Sequence, residues 1–292
     1  MIYKFIDCQK AEFPVNILCR VCKVSRSSYY AYLNRQDDIK AKNDIEDELK
    51  SKIKLSYESS RCAYGAPRIA ADLNKNGTHI SRAKVARLLV SMGLSAKCRR
   101  NPKRTTRSDK YAPKSIDLVN RNFTAKAPNE LFVSDLTYIP TKSGHLYLAA
   151  ILDVYSRLIV GYGIGNHMTT ELFIESLSKL SQVRNRSKFN GAIFHSDHGS
   201  QYSSNQFRAT LNAMGMKQSM GAIGDSYDNA MAESIWASLK KELVYRTKFE
   251  STTQAKQEII SWIDWYNNER IHTSIGNMAP VEFEAKNLKQ SA

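Results

Sequence analysis

Three runs of strand-type residues follow one another in the second half of the chain, and their order limits the folds it can adopt. The runs are LFVSDLTYI, LYLAAILDVYS and LIVGYGIG, with turns predicted at Gly144 and at Ser156–Arg157. Runs joined by such short turns form an antiparallel meander. Two shorter runs, AIFHSD and KQSM, then alternate with helical patterns over 169–183, 203–214 and 228–244. This order predicts an α/β (α+β) domain in which helices flank a mixed five-stranded sheet.

Three acidic residues lie in or beside these elements. Asp135 interrupts the first run, Asp197 ends the fourth, and Glu233 lies on the helical pattern over 228–244. Sixty-one residues separate the first two, and thirty-five separate the second from the third. Three carboxylates that a fold brings together make a site for hard divalent cations. Two such cations can activate one oxygen and stabilise the leaving oxygen in phosphodiester transfer.

Each carboxylate also has an ordinary structural interpretation. A carboxylate on an apolar strand face is costly unless it is paired or bound to metal, so Asp135 is either a metal ligand or a salt-bridged residue at a sheet margin. Asp197 is either a ligand at a strand end or the cap of the next helix. Glu233 lies off the buried stripe of its helix, and Lys240, seven residues on, returns to nearly the same angle. On that helical face Glu233 could bind a metal ion and the Lys240 ammonium could bind a substrate phosphate. Exposed Glu and Lys residues are common, however, so this pair alone is a weak indication.

The positive charge of the chain is confined to its front half. Residues 1–127 hold 27 lysines and arginines against 12 acidic residues, whereas residues 128–292 hold 16 of each, and the formal net charge is +15. This segregation favours a polyanion-binding region ahead of a neutral domain. A basic surface that only confers solubility is the alternative. Nucleic acid is the partner that the pattern favours.

Two helix-turn-helix patterns lie in this basic half. The first covers residues 14–34, where Ser25 caps a second helix that begins with Arg26. The second covers 64–94, after a charged helix over 44–60, and Pro67, Gly77, Ser81 and Gly93 mark its helix ends. Helical hairpins that bind nothing look alike, so these patterns alone do not establish DNA contact. The candidate DNA-binding residues of the two patterns are Arg26, Arg68, Lys84 and Arg87.

A basic segment, KCRRNPKRTTRSDK (97–110), follows the second pattern and has no apolar periodicity. We expect an extended linker that tracks a phosphate backbone, although such charge runs are often only solvated. Its candidate DNA contacts are Lys97, Arg99, Arg100, Lys103 and Arg104. The predicted organisation is a helix-turn-helix-like module over 1–40, a second such module over 41–96, a basic linker over 97–127, and a catalytic domain over 128–292.

Other features of the sequence limit the alternatives. The lone C-x-x-C of Cys19 and Cys22 lacks a second ligand pair and favours core packing over zinc. A last amphipathic helix is predicted over 252–272, where Asn267, Arg270 and His272 are candidates for DNA contact. No run approaches a membrane span and the N-terminus lacks a signal peptide, so a cytoplasmic location is expected.

The three acidic blocks resemble the integrase-like catalytic core of DDE transposases, and most closely the OrfB-type transposases of bacterial insertion sequences. The resemblance rests on FVSDLTYIPT, LAAILDVYSR, HSDHGSQYSS, GDSYDNAMAESIWASLKKEL, WYNNERIHTSIGNMAPVEF and, in front, YGAPRIAADL. It covers most of the chain from Ser25 onward and agrees with the ribonuclease-H-like layer order of the strands and helices. A basic residue seven places after the Glu also belongs to the family pattern, and Lys240 occupies that place.

The resemblance implies cleavage of DNA at the ends of a mobile element and joining of the freed 3′-OH to another phosphodiester. Asp135, Asp197 and Glu233 would be the catalytic residues and would hold two Mg²⁺ ions, for which Mn²⁺ could substitute. Implied partners are the terminal repeats and target DNA, an OrfA product as fusion or partner, and further copies of the chain on DNA at the bacterial nucleoid. The alternatives are a DNA-binding repressor of its own element and a ribonuclease-H-like nuclease that cuts without joining.

Overall fold

The computed structural model describes residues 2–96, 116–120, 122–184, 189–197, 199, 201–221 and 230–290. The chain divides into two compact units. The first comprises residues 1–59 and 64–95, and the second comprises 60–63 and 96–292. In the described ranges no helix is long and apolar enough to cross a membrane.

The first unit is all-helical. Its helices are α1 (Ile2–Gln9), α2 (Val15–Val21), α3 (Arg26–Ser59), α4 (Ala66–Lys75) and α5 (Arg82–Ser91). Side-chain caps begin the helices where the sequence predicts them, because the Ser25 hydroxyl accepts the Ser28 N–H and the Ser81 hydroxyl accepts the Lys84 N–H. Gly77 and Gly93 follow α4 and α5 with positive φ, the conformation that ends many helices.

Helix α3 is longer than the sequence suggested. It joins the predicted second helix of the first module to the predicted helix over 44–60, so the boundary expected at residues 40 and 41 falls inside one continuous helix of 34 residues. Its first turns pack on α1 and α2 in a small core of Ile6, Leu18, Cys19 and Tyr29. Towards its other end Ile53 and Tyr57 are buried, and Tyr57 donates to the Ser95 carbonyl at 2.9 Å. The two predicted modules, 1–40 and 41–96, therefore share one helix.

The second unit is built on a five-stranded sheet. Its strands are β1 (Leu131–Thr141), β2 (Gly144–Asp153), β3 (Ile159–Gly165), β4 (Ile193–Ser196) and β5 (Lys217–Met220). Their order is β3-β2-β1-β4-β5, in which β1 is central. The first three strands form the antiparallel meander, whereas β4 pairs in parallel with β1 and with β5. The predicted mixed five-stranded sheet is confirmed.

Helices cover both faces of this sheet. They are α6 (Thr170–Val183), α7 (Asn205–Ala213), α8 (Ala230–Leu239), α9 (Thr252–Asn268) and α10 (Pro280–Gln290). Phe132, Ala149 and Ile151 pack with side chains of α6 and α7 in one core. Side chains alternate along a strand, so Leu131, Val133 and Ile139 point to the opposite face, where α8 and α9 pack on β1.

Two glycines allow α6 to lie very close to β3. A Cβ atom built on Gly163 would lie 2.0 Å from the Leu172 carbonyl oxygen, and one built on Gly161 would lie 2.3 Å from that of Ser176. No side chain fits such distances. The run LIVGYGIG is therefore both a strand and the groove in which the helix lies.

Buried polar groups attach the C-terminal helices to the sheet. The Asn267 side-chain amide donates to the Ile159 carbonyl and accepts the Ile159 N–H, both at 2.9 Å, on the edge strand β3. On α10, Glu284 accepts Arg184 Nη1 at 2.7 Å and the Ser156 hydroxyl. Arg184 also contacts the fully buried Asp153 at 3.3 Å. Burial raises the pKa of the Asp153 carboxyl to about 6, although the Asn129 N–H and Arg184 oppose the shift.

Candidate active site

Asp135 lies in the middle of the central strand, paired with Ala150 of β2 and facing α8. Its Oδ1 accepts the Leu136 N–H at 2.7 Å and its Oδ2 accepts the indole N–H of Trp236 at 2.9 Å. Both donors are neutral and the strand is central, so in the described part of the chain Asp135 is not a salt-bridged residue at a sheet margin. Burial and the negative charges of Asp197 and Glu233 raise the pKa of the Asp135 carboxyl to about 7, against the two N–H donors.

Asp197 follows β4, the parallel neighbour of β1. Val133 pairs with His195, so Asp135 and Asp197, each two residues further on, lie side by side on the same face of the sheet. Asp197 Oδ1 accepts the Gly199 N–H at 3.0 Å. The next helix, α7, is capped by Ser204, whose hydroxyl accepts the Phe207 N–H. The alternative that Asp197 caps that helix is therefore wrong.

Glu233 is exposed in the first turn of α8. Helix α8 packs on β1, and the negative charge of Glu233 contributes to the raised pKa of the Asp135 carboxyl. Among the residues that the structure describes, no three His, Cys, Asp or Glu side chains form a group ready to hold a metal ion. In the described residues Asp135 and Asp197 thus lie side by side, and Glu233 is exposed on the neighbouring helix.

Lys240 begins a π-helical turn (Lys240–Val244) that continues α8. Since α8 is regular up to Leu239, Lys240 keeps the angular relation to Glu233 that the seven-residue spacing predicted. Its Nζ lies 5.9 Å from the ring centroid of Tyr138, whose side chain is 44% exposed. Burial lowers the pKa of the Lys240 ammonium, while the charge of Asp135 opposes that shift. A cation therefore stands beside the carboxylates.

Buried polar contacts support the end of β4. His195 Nδ1 lies 2.9 Å from the Ser219 hydroxyl of β5, and that hydroxyl accepts the Leu118 N–H at 2.9 Å. The ring of Phe123 packs edge-on against His195 at 5.5 Å. Leu118 and Phe123, which follow the basic segment in sequence, therefore contact Ser219 and His195. His195 lies two residues before Asp197. Sequence reasoning missed this contact, because the partners are far apart in the chain.

Tyr202 lies in the core that α6 and α7 form on the sheet. Its ring is 1% exposed and its hydroxyl lies 2.8 Å from the Ser134 hydroxyl. Burial, with the charges of Asp197 and Asp135, raises the pKa of Tyr202 well above its ordinary value. This tyrosine is therefore a neutral, buried residue of that core.

Comparison with known proteins identifies the family. Residues 125–226 and 214–280 each match an integrase core domain, and residues 44–102 match an HTH-like domain. The insertion element IS600 uncharacterized 31 kDa protein of Shigella sonnei is 37% identical over 94% of this chain and 100% of its own length. The transposase for insertion sequence element IS629 of Shigella sonnei is 35% identical over 96% of this chain and 94% of its own. The chain belongs to the transposases of bacterial insertion sequences.

A third relative also aligns with nearly the whole chain. Transposase InsF for insertion sequence IS3A of Escherichia coli (strain K12) is 33% identical over 99% of this chain and 100% of its own length. Among solved structures, the catalytic domain of Mos1 mariner transposase matches 47% of this chain and 70% of its own at 16% identity and a TM-score of 0.40. The family assignment accordingly rests on the sequence matches. An integrase core with an HTH-like domain makes this transposase a DNA-binding polynucleotidyl transferase.

One predicted DNA contact in this transposase is buried in an ion pair. Arg270 has a side chain only 4% exposed, and its guanidinium forms a bidentate pair with Glu242, whose side chain is 8% exposed. It also donates to the Ser238 hydroxyl at 3.2 Å. Of its two companions, Asn267 binds the edge of β3 and His272 is buried beside Arg270. The motif WYNNERIH therefore holds the C-terminal part of the domain together.

The other predicted DNA contacts have mixed surroundings. Arg26 and Arg87 are exposed, each on the second helix of a helix-turn-helix pattern. Arg68 lies over the Tyr64 ring at 5.7 Å, and Lys84 pairs with Glu46 of α3 at 2.7 Å. Their contacts with DNA stay predictions. Lys97, Arg99, Arg100, Lys103 and Arg104 lie outside the described residues.

Proposed function

We propose that this transposase cleaves DNA at the ends of its element and joins the freed 3′-OH to target DNA, with Asp135, Asp197 and Glu233 as the ligands of two Mg²⁺ ions. The observation that carries the proposal is the crowding of Asp135. A buried carboxylate on the central strand has the negative charges of Asp197 and Glu233 near it, and its pKa rises to about 7. A divalent cation at this place would favour the ionised form.

The side chains present fit Mg²⁺ or Mn²⁺. Both are hard cations that prefer carboxylate oxygens, and Mg²⁺ is commonly bound through one or two carboxylates together with waters and substrate phosphates. Asp135 and Asp197 provide the first two carboxylates, and Glu233 would complete the set. When bound, the ions would supply activation of the attacking oxygen and stabilisation of the leaving 3′ oxygen.

The residues of the chain orient the reaction in several ways. The Leu136 and Trp236 N–H groups fix the Asp135 carboxylate. Lys240, whose Nζ lies 5.9 Å from the ring centroid of Tyr138, would bind the phosphate next to the scissile bond. No covalent protein–DNA intermediate is required, which agrees with the buried, hydroxyl-bound state of Tyr202.

The proposal includes the partners of the reaction. The first unit and the basic segment would bind the terminal repeats, while the second unit would bind the scissile strand and the target. Because two element ends must be paired, the active species would be at least a dimer. An OrfA product, fused or separate, would supply further DNA recognition.

The test uses the full chain with a labelled duplex that carries the element end and a supercoiled target plasmid, in Mg²⁺ or in EDTA. Nicking at the end followed by joined products, both dependent on Mg²⁺, is expected. D135N, D197N and E233Q should each abolish cleavage while DNA binding persists. A double variant should look like either single one, because ligands that act as a unit are not additive. E250Q, an exposed carboxylate paired with Lys142, is the matched control and should retain activity.

Other outcomes distinguish the alternatives. Cleavage without joining would favour a ribonuclease-H-like nuclease. Binding without cleavage would indicate either a repressor or a missing OrfA segment, and the OrfA–OrfB fusion in the same assay separates these two. Near-normal strand transfer by any of the three carboxylate variants would remove that residue from the mechanism. A readout independent of turnover is proton release on adding Mg²⁺ near pH 7, which should be lost in D135N.

A further inference from the structure

Trp236 makes a contact with the site that its position in the sequence does not predict. Its side chain is 6% exposed, and its indole N–H donates to Asp135 Oδ2 at 2.9 Å. The other oxygen of that carboxylate accepts the Leu136 N–H at 2.7 Å. An ionised carboxylate has about four lone-pair sites, so two N–H donors fix its orientation and leave sites open for a cation.

The same helix carries Glu233 and Trp236. Residues three apart on an α-helix lie on neighbouring parts of one face, so α8 presents a carboxylate and an N–H donor to β1 together. The indole bond is a direct polar link between α8 and the central strand. A shift of α8 along β1 would break that bond and move Glu233 relative to Asp135.

The chemistry of the donor suits a metal ligand. A Lys or Arg at this place would neutralise Asp135 and compete with a divalent cation, whereas an indole N–H carries no charge and cannot lose its proton at ordinary pH. Groups that hydrogen-bond to metal ligands typically affect metal affinity or activity by about 10–100-fold when they are removed.

We propose that Trp236 is a positioning residue of this transposase, whose indole N–H holds the Asp135 carboxylate, and with it helix α8, in the arrangement that binds the divalent cation. This inference rests on the proposed function, because it assumes that Asp135 is a metal ligand. Trp236 itself touches neither DNA nor metal in this scheme.

The chain offers a closely matched control. W236F removes the N–H group and keeps a buried aromatic ring. Trp262 on α9 is also buried, at 1% exposure, and its indole N–H has no hydrogen-bond partner in the described part of the chain. W262F is therefore the same chemical change without the loss of a bond to a carboxylate.

The first measurement is direct binding of Mn²⁺ and Mg²⁺ to the DNA-free protein, by electron paramagnetic resonance and by calorimetry. Affinity in W236F should fall about tenfold or more, whereas W262F should stay within about twofold of the natural protein, the size of difference expected from repacking alone. The half-saturating Mg²⁺ concentration in the cleavage assay should shift by a similar factor.

The second measurement uses ¹⁵N-tryptophan labelling, which gives one indole N–H resonance for each of the three tryptophans. The Trp236 resonance, assigned by elimination with W262F and W265F, should move on addition of Mg²⁺ and in D135N. This measurement does not depend on the folding of W236F. A Trp236 resonance that ignores both Mg²⁺ and D135N, or W236F binding metal as W262F does, would overturn the positioning role. Should D135N itself bind metal normally, the ligand assignment in the proposed function would fail instead.

Discussion

Replacement of Arg270 by Met should destabilise the second unit strongly. The guanidinium donates to both oxygens of Glu242, through Nε at 2.9 Å and through Nη2 at 2.6 Å. The two side chains are only 4% and 8% exposed. Without the arginine, a buried carboxylate would lose its ion pair, which in proteins reduces the free energy of unfolding by about 3–5 kcal/mol. That is a large share of the total stability of about 5–15 kcal/mol typical of a protein.

Urea unfolding followed by tryptophan fluorescence isolates the relevant unit, because Trp236, Trp262 and Trp265 all lie in the second one. The midpoint for R270M should fall well below that of the natural protein. K142M is the matched control, since Lys142 pairs with Glu250 at the surface and both side chains are 65% exposed. It should change the free energy of unfolding by about 1 kcal/mol or less.

The double variant R270M/E242M adds a sharper test. Removing both charges leaves no buried ion, so the double variant should be more stable than the single variant R270M. The reasoning would be refuted if R270M unfolded at the normal urea concentration and lost DNA affinity. That result would make Arg270 the DNA contact that the sequence suggested.

Three further perturbations test other parts of the structure. G163A should lower the free energy of unfolding of the second unit by about 3 kcal/mol, because its Cβ would lie 2.0 Å from the Leu172 carbonyl oxygen. G165A should be much milder in the same assay, because the nearest atom to its Cβ is a flexible Leu172 methyl at 3.1 Å. Asp153 has a folded-state pKa of about 6 against an ordinary 3.8, so its protonated form stabilises the fold below pH 4 and that stability is lost as pH rises through 6. The free energy of unfolding relative to D153N should therefore fall over this range by at most about 3 kcal/mol, and a flat difference would contradict the buried position of Asp153. DNA affinity should fall steeply with salt, and the logarithm of the binding constant should fall with the logarithm of the salt concentration with a slope of about −0.9 for each phosphate contact. R99A/R100A should make that slope shallower by about 2 if both residues contact phosphate. A salt-insensitive complex would exclude the linker as a phosphate-binding segment.

The order of the strands and helices, and the positions of Asp135 and Asp197 within it, could be predicted from local patterns of apolar residues in the sequence. The strands around Asp135 and Asp197 have strong apolar runs, and parallel pairing of β1 with β4 brings the two residues side by side. The indole bond from Trp236 to Asp135 spans 101 positions in sequence. An apolar stripe on a helix says which face is buried, but it does not say which polar atom an indole will meet.

The other features that the sequence did not predict have similar causes. Arg270 follows an amphipathic helix and looks like a surface cation, yet the π-helical turn after α8 places Glu242 against it from 28 positions away. The middle of α3 has no apolar stripe, so the sequence suggested two helices. Ion pairs spaced three or four residues apart, such as Lys50 with Glu46 and Asp47, lie further along the same helix.

The continuity of α3 also sets a length. At a rise of 1.5 Å per residue, its 34 residues extend about 51 Å, which equals about 15 base pairs of a B-form duplex at 3.4 Å per pair. A flexible linker would let two recognition modules slide relative to each other along DNA. A single continuous helix instead fixes the distance between them. A duplex that bound both ends of α3 would therefore be contacted at two points, and the number of residues in the helix would set their spacing.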